Sequence, residues 1–274
     1  MRQHLSAIAN AYAFILLVAA LLLGVSGSAY AFLQSPTPSS TPTSTQEIAA
    51  DRRAEIARYA AALQSGDEEE RRQAVLMLGA MRDAATIPTL RAALGDKAER
   101  VRAAAIAALG MLDDSSLTPV IAIYLTKDNR PFVRKTAAYA LGHFATGDAT
   151  AALIVGLRDK DMEVRGAAAV ALSSRPDAAA IAPLIKSLSD KSPFVRAHAA
   201  AALGVNGRAA AQAVPDLVRV LAKDEDHESR RQAATALGRI GEPSSLTALQ
   251  EAERSSDPYL SQAAREAISS IREQ

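Results

Sequence analysis

The sequence predicts an all-α fold, a right-handed α-solenoid of about seven helical hairpins of 31–34 residues. Three observations lead there. A Leu-Gly dipeptide recurs as Leu78-Gly79, Leu109-Gly110, Leu141-Gly142, Leu203-Gly204 and Leu237-Gly238, with Leu172-Ser173 filling the gap and Ile268-Ser269 closing the series. Successive spacings are 31, 32, 31, 31, 34 and 31 residues, a period that marks one supersecondary unit stacked on copies of itself. Between these marks apolar residues recur at helical spacing, as in Val101, Ala105, Ala108 and Leu109, with no strand-like alternation.

Each unit reads in a fixed order. Seven residues before the Leu stand Arg71, Arg102, Arg134, Arg165, Arg196 and Arg230, and only Ser261 breaks the rule. Val101, Val133, Val164 and Val195 precede the Arg in the middle units, and the run from Arg to Leu is mostly Ala. Thirteen residues before the Leu lie Asp96, Asp128, Asp159, Asp190 and Asp224. After the Leu-Gly comes a polar turn and a second apolar run, such as Ile87-Pro88-Thr89-Leu90, Ile181-Ala182-Pro183-Leu184 or Val214-Pro215-Asp216-Leu217. Pro there suits the first turn of a helix, where its missing N–H has no partner to lose. The unit is therefore two short antiparallel helices, and stacking buries faces that neither could bury alone.

The runs Val101-Arg102…Leu109-Gly110 and Val195-Arg196…Leu203-Gly204 resemble the HEAT-like repeats first described in phycobilin lyases. The resemblance covers about residues 47 to 272 and implies a stack of HEAT-like hairpins. It leaves function open, because this repeat serves scaffolds, enzymes and nucleic-acid binders alike. A lyase-like role would imply tetrapyrrole handling inside a cytoplasmic or plastid-like compartment.

Composition divides the chain into residues 1–33, 34–46 and 47–274. The first stretch has no charge between residues 5 and 33 and an apolar run from Ala11 to Val25. It reads either as a signal peptide cleaved after Ala29-Tyr30-Ala31 or as an N-terminal transmembrane anchor, with Arg2 at its basic end. Both readings place the repeats outside the cytoplasm, periplasmic or secreted, and the second tethers them to the membrane. The Ser/Thr/Pro-rich residues 35–45 form an extended, disordered linker. The solenoid then opens with a helix near Glu47 to Leu63, with Ser44 and Glu47 as a capping box. It ends with a helix from Pro258 to Arg272, capped by Asp257 and wet on one face. The single spacing of 34 puts the main irregularity in Gly204 to Gln212.

Several chemistries are excluded by content. Without Cys there are no disulfides, thiolates or lipoprotein acylation. The 31 basic and 30 acidic residues give no general attraction for nucleic acid. His4, His143, His198 and His227 form no H-E-x-x-H or paired motif. His227-Glu228 is a single His-Glu pair, whereas HEAT-type deoxyhypusine hydroxylases bind di-iron through several. No Walker loop, G-x-S-x-G or G-x-G-x-x-G occurs, Asp113-Asp114 falls in a turn, and aromatic content is 4% without Trp. No cofactor, metal or catalytic residue is expected, and the repeated Arg reads as a structural partner of the repeated Asp.

The remaining candidate is the face of the second helices, the concave side in stacks of this kind. Positions one, two and five after each Arg are expected to point away from the first-helix layer. The partner-binding row is Arg72, Gln73, Leu76, Ala107, Lys135, Thr136, Tyr139, Val170, His198, Arg231, Gln232 and Thr235, with Tyr139 as its large anchor. The expected role is a non-catalytic scaffold that docks a helix or peptide of another protein there. The alternative is an enzyme accessory subunit whose chemistry a partner completes.

Overall fold

The computed structural model describes residues 45–112 and 114–273. The chain divides into two units, Met1–Asp51 and Arg52–Gln274, and the stack lies in the second. First helices are α1 (Thr45–Ala62), α3 (Ile87–Ala93), α5 (Thr118–Lys127), α7 (Gly147–Gly156), α9 (Ala178–Ser187), α11 (Val214–Lys223) and α13 (Leu246–Glu253). Second helices are α2 (Glu68–Ala80), α4 (Glu99–Gly110), α6 (Pro131–Leu141), α8 (Met162–Leu172), α10 (Pro193–Val205), α12 (His227–Ile240) and α14 (Pro258–Glu273). The all-α, repeated-hairpin expectation holds, with no strand among the described residues. The expected irregularity is there too, as a 3-10 segment Gly207–Ala213 that inserts between α9 and α11.

Two expectations need correction. Pro183 is not in a first turn: α9 begins at Ala178, with the Asp177 side chain accepting from the Ala179 N–H, and runs through Pro183. In α3, α5 and α11 the equivalent stretch is a separate 3-10 turn, so their prolines open the helix. The anchored, extracytoplasmic placement is also overturned. Among the described residues no helix is long and apolar enough to cross a membrane. The longest, α1, carries Asp51, Arg52, Arg53, Glu55 and Arg58. The leader and linker segments, and Ser44 of the expected capping box, lie outside the described residues.

The repeated dipeptide has a packing cause on each side. Leu78, Leu109, Leu141, Leu203 and Leu237 are fully buried between the two layers. The Gly beside each has no room for a side chain. A Cβ on Gly79 would stand 2.7 Å from Ala108 Cβ, on Gly110 2.8 Å from Ala140 Cβ, and on Gly238 2.6 Å from Ala267 Cα. Gly142 meets Ala171 and Gly204 meets Ala236 in the same way. In every case the Ala is the residue preceding the next unit's Leu or Ile, so each Gly seats the following second helix. The ends obey the same rule in reverse. Met77 occupies the Ala position in the first unit, where no earlier Gly arrives, and Ser269 occupies the Gly position in the last.

The second regular contact is polar. Arg71 donates from Nε and Nη2 to the two carboxylate oxygens of Asp96 at 2.7 and 2.9 Å. The same fork joins Arg102 to Asp128, Arg134 to Asp159, Arg165 to Asp190 and Arg196 to Asp224. The remaining Nη1 of Arg102, Arg134, Arg165 and Arg196 donates to the backbone carbonyl of Asp96, Asp128, Asp159 and Asp190 at 2.9, 3.0, 3.0 and 2.9 Å. Asp96, Asp128, Asp159 and Asp190 thus give their carboxylates to the preceding unit and their carbonyls to their own, whereas Asp224 gives its carboxylate alone. The Oδ1 of each Asp also accepts a backbone N–H two residues on, as from Ala98 at 2.8 Å. The ladder stops where Ser255 replaces the next Asp. There Arg230 turns to the Leu221 carbonyl, and the Ser261 hydroxyl donates to the Glu253 carbonyl. With every guanidinium engaged, the five arginines are fasteners and not an anion site.

The fork sets the charge state of the carboxylates. Arg71 holds the Asp96 carboxyl below the usual range. At Asp159 burial pushes upward, and the Arg134 guanidinium with the Asp161 N–H outweighs it.

Two outcomes are expected in urea unfolding. Gly238→Ala destabilises by about 1–3 kcal/mol through overpacking, more than the roughly 1 kcal/mol that helix propensity returns, whereas Ser269→Ala stays within about 0.5 kcal/mol. Because the ladder carboxyls are lowered on folding, their contribution is complete above the unfolded value of about 3.9. It is lost as pH falls through the lower folded values. Arg134→Met, which leaves the half-buried Asp159 without its fork, costs about 1.5–3 kcal/mol at neutral pH.

Candidate partner-binding surface

Consecutive second helices pack on one another from α2 to α14, forming one continuous layer. Small residues line its seams, whereas between first helices bulkier groups meet, as where Leu125 of α5 faces Gly156 of α7.

The expected row lies partly on that face and partly beneath it. Gln73 is exposed, and Arg72, Leu76, Ala107, Lys135, Tyr139, Val170, His198, Arg231, Gln232 and Thr235 are half-buried. Thr136 is corrected: it is buried at 7% exposure, and its hydroxyl donates to the Phe132 carbonyl at 2.9 Å. Ala103, Ala104, Ala167 and Ala197 share its fate. Where these positions carry Ala or Thr they pass into the seam with the neighbouring helix, whereas the longer side chains Gln73, Lys135, His198 and Arg231 reach the face from them. Burial raises the Tyr139 phenol, with Lys135 and Glu163 acting in opposite directions on it.

The face is completed by a position that the sequence reading passed over, two residues before each Arg. Phe132, Phe194 and Tyr259 stand there in alternate units, with Glu163 and Glu228 between them. Phe194 is 47% exposed and Tyr259 66%. Each ring has a support. The Phe194 ring lies over Gly166 of the preceding helix, where a Cβ would fall 2.3 Å from two ring atoms. His198 meets Phe194 edge to face at 4.4 Å. Burial lowers the His198 imidazole value and Glu228 opposes that shift. The Arg231 guanidinium lies 5.3 Å from the Tyr259 ring centre and Lys135 Nζ 5.8 Å from that of Phe132.

The cations of the row are tied down by the intervening carboxylates. Lys135 donates to Glu163 at 2.6 Å, Arg72 to Glu69 at 2.9 Å, and Arg231 to Glu228. Glu228 also accepts from Gln232 at 2.7 Å. The side chain of His227 does not join Glu228 in a ligand set; its Nδ1 is 3.1 Å from Asp257 Oδ2. Among the described residues no group of three or more His, Asp or Glu side chains is placed to hold a metal ion. A signal for the aromatic positions was available, since 132 and 194 are two repeats apart, but alternation over two units is invisible when one unit is compared with the next.

A family profile described as HEAT repeats matches residues 56–142, 118–204 and 181–269. No curated protein sequence matches the chain. Among solved structures, YibA of Escherichia coli aligns with a TM-score of 0.54 at 17% identity, over 86% of this chain and 100% of that one. An engineered protein aligns with a TM-score of 0.55 at 23% identity, over 79% of this chain and 68% of that one. The complex of CpcE and CpcF of phycocyanin lyase from Nostoc aligns with a TM-score of 0.48 at 24% identity, over 87% of this chain and 98% of that one. The structural likenesses speak to fold alone. With the profile spanning most of the stack and the Leu-Gly units in register, the chain belongs to the HEAT repeat family.

Proposed function

We propose that the chain is a non-catalytic interaction module that binds a helix or peptide of another protein along the second-helix face. The observation that carries this reading is the row of supported rings at Phe132, Phe194 and Tyr259. Large aromatic side chains are the residues most often found as binding anchors, and this protein has only 11 Phe and Tyr residues to place. Two of them stand more than 45% exposed on one layer. The Phe194 ring rests against Gly166 and the Arg231 guanidinium lies over the Tyr259 ring, contacts that restrict the rings and so lower the entropy lost on docking. Tyr139 and Val170, half-buried on the same layer of second helices, extend the apolar ground.

The test is affinity capture from the source cells with full-length protein beside a Phe194→Ala, Tyr259→Ala variant. Circular dichroism confirms that the variant is folded. A partner retained by the native protein and reduced at least tenfold by the variant is the expected outcome. Equal capture by both proteins removes the aromatic row from the account.

A further inference from the structure

Composition leaves the chain with a net charge of only +1, yet its charges are not evenly placed. The turns from first to second helix stand side by side, because each Arg–Asp fork joins one turn to the next. On this edge Lys97, Lys127, Arg158, Lys160 and Lys191 are exposed, and none of them is paired with an acidic group among the described residues. The ladder fixes their pitch. Arg102, Arg165 and Arg196 donate to the backbone carbonyls of Lys97, Lys160 and Lys191 at 3.1, 3.2 and 3.3 Å. These lysines are therefore held by their backbone and present free ammonium groups one repeat, or two, apart.

The strip is bounded at both ends. Before it the same edge carries Asp67, Glu68 and Glu70, and after it Glu225 and Asp226. A cleft of about 210 Å³ opens at its middle, lined by Leu125, Thr126, Ile154, Val155, Gly156, Arg158 and Asp159. Val155 is 54% exposed there. The Asp159 carboxylate is already held by Arg134 and the Asp161 N–H, so the free charge at the rim is that of Arg158.

We infer that this edge is a second binding site, for a short acidic peptide with one apolar residue near its centre. It lies on the first-helix side of the ladder and does not depend on the aromatic row. Length decides between polyanions. From Lys97 to Lys191 there are three repeat intervals, and helices pack about 8–10 Å apart, so the strip is about 30 Å long. An extended chain of about nine or ten residues spans that distance. A long nucleic acid or a flat anionic membrane would run past the lysines onto the flanking carboxylates and be repelled. A short acidic peptide ends before it reaches them, and its apolar side chain finds the cleft.

The probe is a fluorescein-labelled ten-residue oligoglutamate with one central leucine, titrated with the full chain at low salt and followed by anisotropy. The variant is Lys97→Glu, Lys160→Glu, Lys191→Glu. Its fold is secured by the fact that the ladder uses only the carbonyls of these residues, and a thermal melt checks this. Binding that weakens at least tenfold in the variant and with added salt, and persists in Phe194→Ala, is the expected result. Replacing the central leucine by glutamine is expected to weaken it further. Absence of binding, equal binding by the variant, or tighter binding to forty-nucleotide single-stranded DNA or to phosphatidylserine vesicles overturns the assignment. Persistence in Phe194→Ala also keeps this result separate from any failure of the aromatic surface.

Discussion

The bidentate contact from an Arg on one second helix to the Asp in the next unit's turn is the constraint to which the rest of the stack is referred. It joins three pieces of backbone at once: the helix that bears the Arg, the turn before that helix and the turn one unit further on. Burying such an ion pair gives little net stability unless its atoms find further hydrogen-bond partners. Here each guanidinium nitrogen and each carboxylate oxygen has at least one. The Arg fork fills both carboxylate oxygens, Oδ1 takes a turn N–H as well, and the last guanidinium nitrogen reaches a carbonyl. The contact therefore acts mainly to specify register, which an alanine-rich seam could not do by shape. Alanine surfaces interdigitate weakly and could slide by a turn at small cost.

That seam has its own logic. A core built from Ala buries less apolar surface per residue than one built from Leu or Phe, so it must be packed closely to hold. Glycine opposite alanine brings successive second helices nearest, and Ser173 is the one internal exception, its hydroxyl turned back to the Val170 carbonyl at 2.7 Å. The close approach has a functional consequence. It pushes Thr136 and the alanines near it out of reach of any partner, and leaves surface chemistry to the positions where the helices first emerge from their turns. Rings and lysines stand there, on the two sides of the same ladder.

How much of this was legible in the sequence follows from the range of each interaction. The hairpin repeat, the Arg–Asp partnership and the irregular stretch after Gly204 could be read because they recur in register or break it. The roles of Met77 and Ser269 were equally present but become meaningful only once the Gly-on-Ala contact is known. Thr136 was misplaced because its short side chain, on the surface of an isolated helix, is covered by the neighbouring helix in the stack, where the longer Gln73 and His198 at the same position reach out. Phe194 was missed because its support, Gly166, lies on another helix. The overall charge concealed the lysine strip, since the acidic ends of the same edge cancel it in the sum. The apolar run near the amino terminus pointed to a membrane placement that the described helices do not carry.

The claim that most needs testing is that the Arg–Asp fork couples neighbouring units. A double-mutant cycle on Arg134 and Asp159 measures this directly, with Arg134→Met, Asp159→Asn and the pair compared by urea unfolding at neutral pH. The account predicts that the double variant is less destabilised than the sum of the singles, with a coupling of about 1–3 kcal/mol. Additive effects, with no coupling beyond experimental error, would contradict it and leave the small-residue seams to hold the register unaided.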